Sequence, residues 1–272
     1  MKRLNVDGYI IADQDKWVYD YFEVPYLTLA RLRAFLNDAG KDDIELVINC
    51  YGGDVWSAAA MYAELRNYKG KSVAKVIGVS ASASSFLMLG ANTVIGSPMA
   101  TIMIHNAQAG AQGDYRTMEH TAEMLKQHDE TIRNAYEIKT KKSRADLAKY
   151  MDNETWLTVQ DALTLGIIDE IDLKKGEELT DPASSALMPS RIAACFNPVK
   201  MRGIAAALKN APIDPAPPED EPTEDEPTEA ETEKPEPNDS GDESRPVSDN
   251  LKDQKADFHR MKLKILKSYE EE

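Results

Sequence analysis

The chain has 272 residues, 42% of them apolar, which suffices for one large domain or two small ones around a sizeable core. Its formal net charge is −15, but residues 211–247 alone hold 14 acidic and two basic residues, so the charge belongs to one segment and the rest is close to balanced. A negative chain gains nothing by displacing counterions from phosphates, which argues against a nucleic-acid partner.

LNVDGYII reads as a first strand; within the N-terminal MKRLNVDGYII, Asp7 and Gly8 break the apolar run, so it does not read as a signal peptide. YLTLARLRAFLNDAG reads as a helix in which Leu27, Leu29, Leu32, Phe35 and Leu36 approximate a stripe and Gly40 is the stop. IELVINC is a buried strand and WSAAAMYAELRNY an Ala-rich helix. SVAKVIGV is a strand that runs into the small-residue helix ASASSFLMLGA, and TVIG and TIMIH are short strands. Residues 114–139 read as a long polar helix with Met118, Ala122, Leu125, Ile132 and Tyr136 along one side. SRADLAKYM, opened by Ser143, and TVQDALTLG are helices, and IIDEI closes the pattern as a strand. This alternation of strands and helices predicts an α/β fold over residues 1–175.

Beyond that the pattern weakens. Residues 176–210 read as an extension or arm. Residues 211–247 carry nine of the 14 prolines and cannot bury enough apolar surface to offset ordering entropy, which predicts a disordered acidic linker. Residues 248–272 regain a heptad-like pattern through Leu251, Phe258, Met261 and Ile265, which predicts a short amphipathic helix. No run of about 18 apolar residues predicts a membrane span. The two cysteines, Cys50 and Cys195, offer neither a disulfide framework nor a metal-ligand pattern, so no metal or cofactor is expected and a reducing compartment fits.

Four features could carry chemistry. Gly52-Gly53 follows a buried strand and is either an oxyanion-binding turn or a plain tight turn. Residues 78–85, GVSASASS, offer four serines where a strand enters a helix, each a nucleophile or a helix cap, and composition does not choose between them. His105 ends a strand, where histidine can serve as general base, whereas His120 and His128 lie on the polar helix and His259 in the tail. In DNETWLT, Asp152 and Glu154 could each orient an imidazole or merely cap and solvate. All four features fall at the C-terminal ends of strands or in loops returning there, the edge where open α/β sheets bind ligands.

VINCYGGDVWSAAAMY, GVSASASSFLMLGA, ATIMIHNAQAG and ETWLTVQDALTLGIIDEI, in this order, resemble the conserved segments of the Clp peptidase family. The resemblance implies the Clp/crotonase fold: stacked ββα units with a protruding handle helix at 114–139, followed here by the acidic tail. It implies a serine endopeptidase with Ser82 as nucleophile, His105 as base, and an oxyanion hole from Gly53 and Ala83 beside Gly52. Glu154 falls in register with the family's acid, usually Asp; Asp152 is the alternative. Tyr51 and Ala83 stand where the family has Pro and Met. A homo-oligomeric ring, single or double, in the cytoplasm is implied, with protein substrates and no membrane. Phage head-maturation proteases resemble Clp peptidases and often carry E-T-W here. With the tail, this points to cleavage of scaffold and capsid proteins in the prohead. The other readings are an ATP-dependent Clp subunit served by an unfoldase, a crotonase-type acyl-CoA enzyme, a Ser/Lys dyad using Lys71 or Lys75, and a non-catalytic scaffold with a dead protease domain.

Overall fold

A computed structural model describes residues 1–179 together with Met201 and Gly203. The expected arm beyond Leu179, the acidic linker and the C-terminal helix lie outside the described residues.

Nine residues of β1 (Lys2–Ile10) start the sheet, followed by a short helix α1 (Lys16–Tyr21) that the sequence pattern did not announce. β2 (Tyr26–Leu27) takes two residues expected inside the next helix, and α2 (Leu29–Ala39) begins only after Thr28. The reason is local: the Thr28 hydroxyl accepts the Arg31 N–H at 3.2 Å, an N-cap that fixes the helix start. β3 (Ile44–Gly53), α3 (Val55–Asn67) and β4 (Ser72–Ala81) follow as read, both strands running two or more residues further. Asp54 caps α3 by accepting from Ser57 N–H at 2.8 Å and Ser57 Oγ at 2.7 Å. α4 (Ala83–Leu87), β5 (Thr93–Gly96) and β6 (Thr101–Ile104) precede α5 (Tyr115–Thr140). α6 (Arg144–Asp152), β7 (Thr155–Thr158), α7 (Val159–Leu165) and β8 (Glu170–Ile171) complete the described fold.

The strand order is β2-β1-β3-β4-β5-β8, all parallel, with β6 joined to β4 and β7 to β6. β4 serves two neighbours on one edge: Val73–Val76 pair with β5, and Val79–Ala81 pair with β6. The register against β3 jumps from Ile48–Val76 to Cys50–Ser80, so β4 accommodates two extra residues where it changes partner. Asn49 Oδ1 accepts the Val79 N–H there at 3.3 Å. The β6–β7 ladder is antiparallel, which puts the start of β7 at the C-terminal end of β6.

Leu46, Ile48 and Cys50 on β3 and Ala74 and Val76 on β4 alternate inward and are fully buried against Leu32 of α2, Met61 and Leu65 of α3 and Leu87 of α4. The α/β architecture expected from sequence is the architecture found. α5 spans 26 residues, about 39 Å at the helical rise. Its first three turns bury no side chain, whereas Ile132, Ala135 and Tyr136 near its end are core residues. The expected apolar stripe is therefore split: Ile132 and Tyr136 are buried and Met118 is exposed. Among the described residues no helix is long and apolar enough to cross a membrane.

Candidate functional site

Ser82 follows the last residue of β4 and His105 the last of β6, and these strands are hydrogen-bonded neighbours. Their adjacency brings the side chains together: His105 Nε2 lies 2.6 Å from Ser82 Oγ. The four serines that composition could not separate are separated here. Ser80, Ser84 and Ser85 are buried, while Ser82 is half-buried and meets the imidazole.

Ser82 adopts φ 54° and ψ −126°, a region that disfavours any residue with a Cβ. Surrounding contacts hold it there. Its N–H donates to the Met103 carbonyl at 2.9 Å, and its own carbonyl accepts the Ser85 N–H at 2.9 Å and the Ser85 hydroxyl at 2.6 Å. Ser85 has one hydroxyl proton and spends it on that carbonyl, so the buried Tyr136 hydroxyl donates to Ser85 Oγ at 2.6 Å. Burial also pushes the Tyr136 pKa well up, keeping it a neutral donor.

Gly52 and Gly53 end β3 against this turn with φ 88° and 141°. A Cβ on Gly52 would lie 2.5 Å from the Ala81 carbonyl oxygen and 2.7 Å from the Ala83 nitrogen, so only glycine lets β3 approach the Ser82 turn this closely. The Gly52 N–H points inward and donates to Cys50 Sγ at 3.4 Å. That thiol is fully buried, and desolvation pushes its pKa up to about 11, so it is a packing group and weak acceptor, not a nucleophile.

Burial lowers the His105 pKa below its ordinary 6.5, opposed by the negative charges of Glu154 and, less strongly, Asp129. The imidazole is therefore neutral at pH 7 and able to accept the serine proton. The β6–β7 register explains Glu154: carried one residue past the Ile104–Thr155 pair, it sets Glu154 opposite His105. Glu154 itself has φ 44° and makes no hydrogen bond to His105; the buried Nδ1 has no partner among the described residues. Asp152 is exposed and accepts from Asn106 Nδ2 at 2.8 Å, and it exerts no comparable pull on His105. Asp129, on α5, was not anticipated: its Oδ1 accepts the Ala107 N–H at 2.7 Å. The signal for it was a carboxylate seven residues before Tyr136, on the side of the helix that becomes buried.

A cleft of about 350 Å³ opens beside Gly53, between Val55 and Trp56 on one side and Ala107, Met124 and His128 on the other. Trp56 and His128 meet edge-to-face with centroids 4.5 Å apart. Lys75, on the strand leading to Ser82, is spent on an ion pair with Asp172 at 2.5 Å, so it is not placed to serve a Ser/Lys dyad.

The sequence matches the family described as Clp protease over residues 26–175, more than half of the chain. The ATP-dependent Clp protease proteolytic subunit of Deinococcus radiodurans is 29% identical over 134 residues, 48% of this chain and 65% of that protein. The like-named subunit of Dehalococcoides mccartyi (strain BAV1) is 29% identical over 157 residues, 57% of this chain and 78% of that protein. The chain thus spans just under two thirds of the Deinococcus relative.

Proposed function

The chain belongs to the Clp protease family, and from that premise we propose that it is a serine endopeptidase with Ser82 as nucleophile, His105 as general base and Glu154 as the acid. The single observation that carries this is the 2.6 Å contact between Ser82 Oγ and His105 Nε2. In the acylation step Ser82 Oγ attacks a peptide carbonyl carbon while His105 Nε2 takes its proton. The oxyanion is met by the backbone N–H groups of Gly53 and Ala83; Gly52 serves by having no side chain, since its N–H is turned to Cys50. His105 then gives its proton to the leaving amine, and water, activated by the same imidazole, releases the acyl group from Ser82. The cleft beside Gly53 suits an apolar side chain of the substrate, through Val55, Trp56 and Met124.

Glu154 stands opposite His105 and is the strongest negative influence on it, so it is the residue to hold the imidazolium once the site closes on substrate. Glu154→Gln is expected to lower kcat by about 10²–10⁴-fold, and Asp152→Asn by less than about twofold. The reverse order in a fluorogenic-peptide assay would move the acid role to Asp152.

The substrates we propose are scaffold and capsid proteins cut during phage head maturation, by a homo-oligomeric ring built with α5 as its handle. The E-T-W at 154–156 and the acidic composition of residues 211–247 support this setting. The relatives' name, ATP-dependent Clp protease proteolytic subunit, favours the second reading, a subunit that works with an unfoldase. Fluorophosphonate labelling of the purified chain, lost in Ser82→Ala, is the expected result for either. Co-expression with capsid and scaffold proteins separates them: processing by the parent and not by Ser82→Ala, without an unfoldase, supports the head-maturation role. Equal processing by both chains rules it out.

A further inference from the structure

Two polar contacts tie α5 to the Ser82–His105 pair, and neither is needed to make α5 a helix. The Tyr136 hydroxyl reaches the Ser82 carbonyl through Ser85. Asp129 Oδ1 accepts the backbone N–H of Ala107, two residues beyond His105, at 2.7 Å. Asp129 and Tyr136 are seven residues apart, so two helical turns, about 10.5 Å along the axis, separate a tether to the serine from a tether to the histidine.

The second tether falls where the sheet stops holding the chain. The β6–β7 register ends at Ile104–Thr155, so His105 leads into residues that the ladder no longer pairs. Ala107 is the next backbone position fixed by a described contact, and what fixes it is a charged side chain from a distant element. Aspartate is a poor residue for a helix interior, and here it sits half-buried on the side that packs inward.

We infer that Asp129 is a positioning residue for the Ser82–His105 pair, anchoring the backbone after His105 to α5 through the Ala107 N–H. The inference rests on the reading of Ser82 and His105 as nucleophile and base. The groups that act on His105 are Ser82 from the β4–α4 turn, by direct contact, and the negative charges of Glu154 at the entry to β7 and Asp129 from α5. Asp152, at the end of α6, is engaged by Asn106, and His128, beside Asp129, meets Trp56 edge-to-face. Asp129 therefore acts on His105 in two separable ways, through the position of the backbone and through charge.

Two variants separate them. D129N keeps an oxygen acceptor for Ala107 in the same place and removes the charge; D129A removes both. The readout is the second-order rate of fluorophosphonate labelling of the full chain as a function of pH. Loss of a carboxylate that raises the imidazole's proton affinity lets the base form persist to lower pH. The acid limb of the D129N profile is expected to move to lower pH than the parent's. D129A is expected to share that shift and to lose about tenfold or more in its plateau rate, as a reacting group displaced by a fraction of an ångström does. A D129N acid limb that coincides with the parent's, or a D129A plateau equal to the parent's, overturns the inference. Absence of Ser82-dependent labelling in the parent is a different result: it removes the peptidase reading, and the role of Asp129 with it.

Discussion

Alanine at Ser82, alanine at His105 and alanine at both are expected to leave the same residual peptidase rate, about 10⁴–10⁶-fold below the parent. The two side chains share one short contact, Nε2 to Oγ at 2.6 Å, and each is useless in the reaction without the other. A serine hydroxyl with no base is a poor nucleophile at neutral pH, and an imidazole with no hydroxyl beside it has no proton to take. What survives is the turn proposed to bind the oxyanion, together with substrate binding, and both are the same in all three variants. Losses that multiply in the double variant would show two groups working independently and would remove the pair from the mechanism. The measurement is kcat/KM on a fluorogenic peptide, with thermal midpoints alongside. Ser82→Ala retains a Cβ and therefore the strained φ of 54°, so its midpoint should stay near the parent's. That makes any fall in rate a chemical effect and not a loss of fold.

How the site could be read from sequence follows from what each residue depends on. β3 and β4 were legible because they are apolar runs bounded by turn residues, and Ser143 announced the start of α6. Ser82 was reached only through the resemblance of its segment to a family. Composition could not choose among four serines, because the difference is burial: three face the core and one faces a histidine. The four residues of β7 show no strand period in the sequence, so the pairing that sets Glu154 opposite His105 is not legible there. That pairing is antiparallel, with β6, a long-range contact that four residues of sequence do not encode. α1 and β2 are not legible because both are too short to show a period. Asp129 and Tyr136 lay on a helix whose composition is polar, and their importance comes from which two turns of it meet the site.

The second large effect belongs to a residue without a side chain. Gly52→Ala is expected to cost about 2–5 kcal/mol of stability, combining an alanine forced to positive φ with overpacking against backbone. It is also expected to lower the peptidase rate by about 10²-fold or more in the protein that still folds. The added Cβ would meet the Ala81 carbonyl oxygen at 2.5 Å, the Ala83 nitrogen at 2.7 Å and the Ser82 Cβ at 2.7 Å. These are the atoms before, after and on Ser82, so relief of the clash must move Ser82 or turn the Ala83 N–H. Neither neighbour can yield as a flexible side-chain end would, because the Ser82 turn is pinned to Met103 on one side and to Ser85 and Tyr136 on the other. Gly40→Ala provides the control. Its φ of 62° carries a similar backbone penalty, but nothing lies within 4 Å of the added Cβ, and it caps α2 away from the Ser82 turn. Thermal unfolding should therefore show a loss in both variants, larger for Gly52→Ala, while the peptidase rate should fall in Gly52→Ala alone. Equal rates in the two variants would mean that the β3 glycine turn is a place where the chain bends and has no part in holding the nucleophile. The contrast works because it separates the strain of a left-handed backbone, which any turn can carry, from the close approach of β3 to the Ser82 turn.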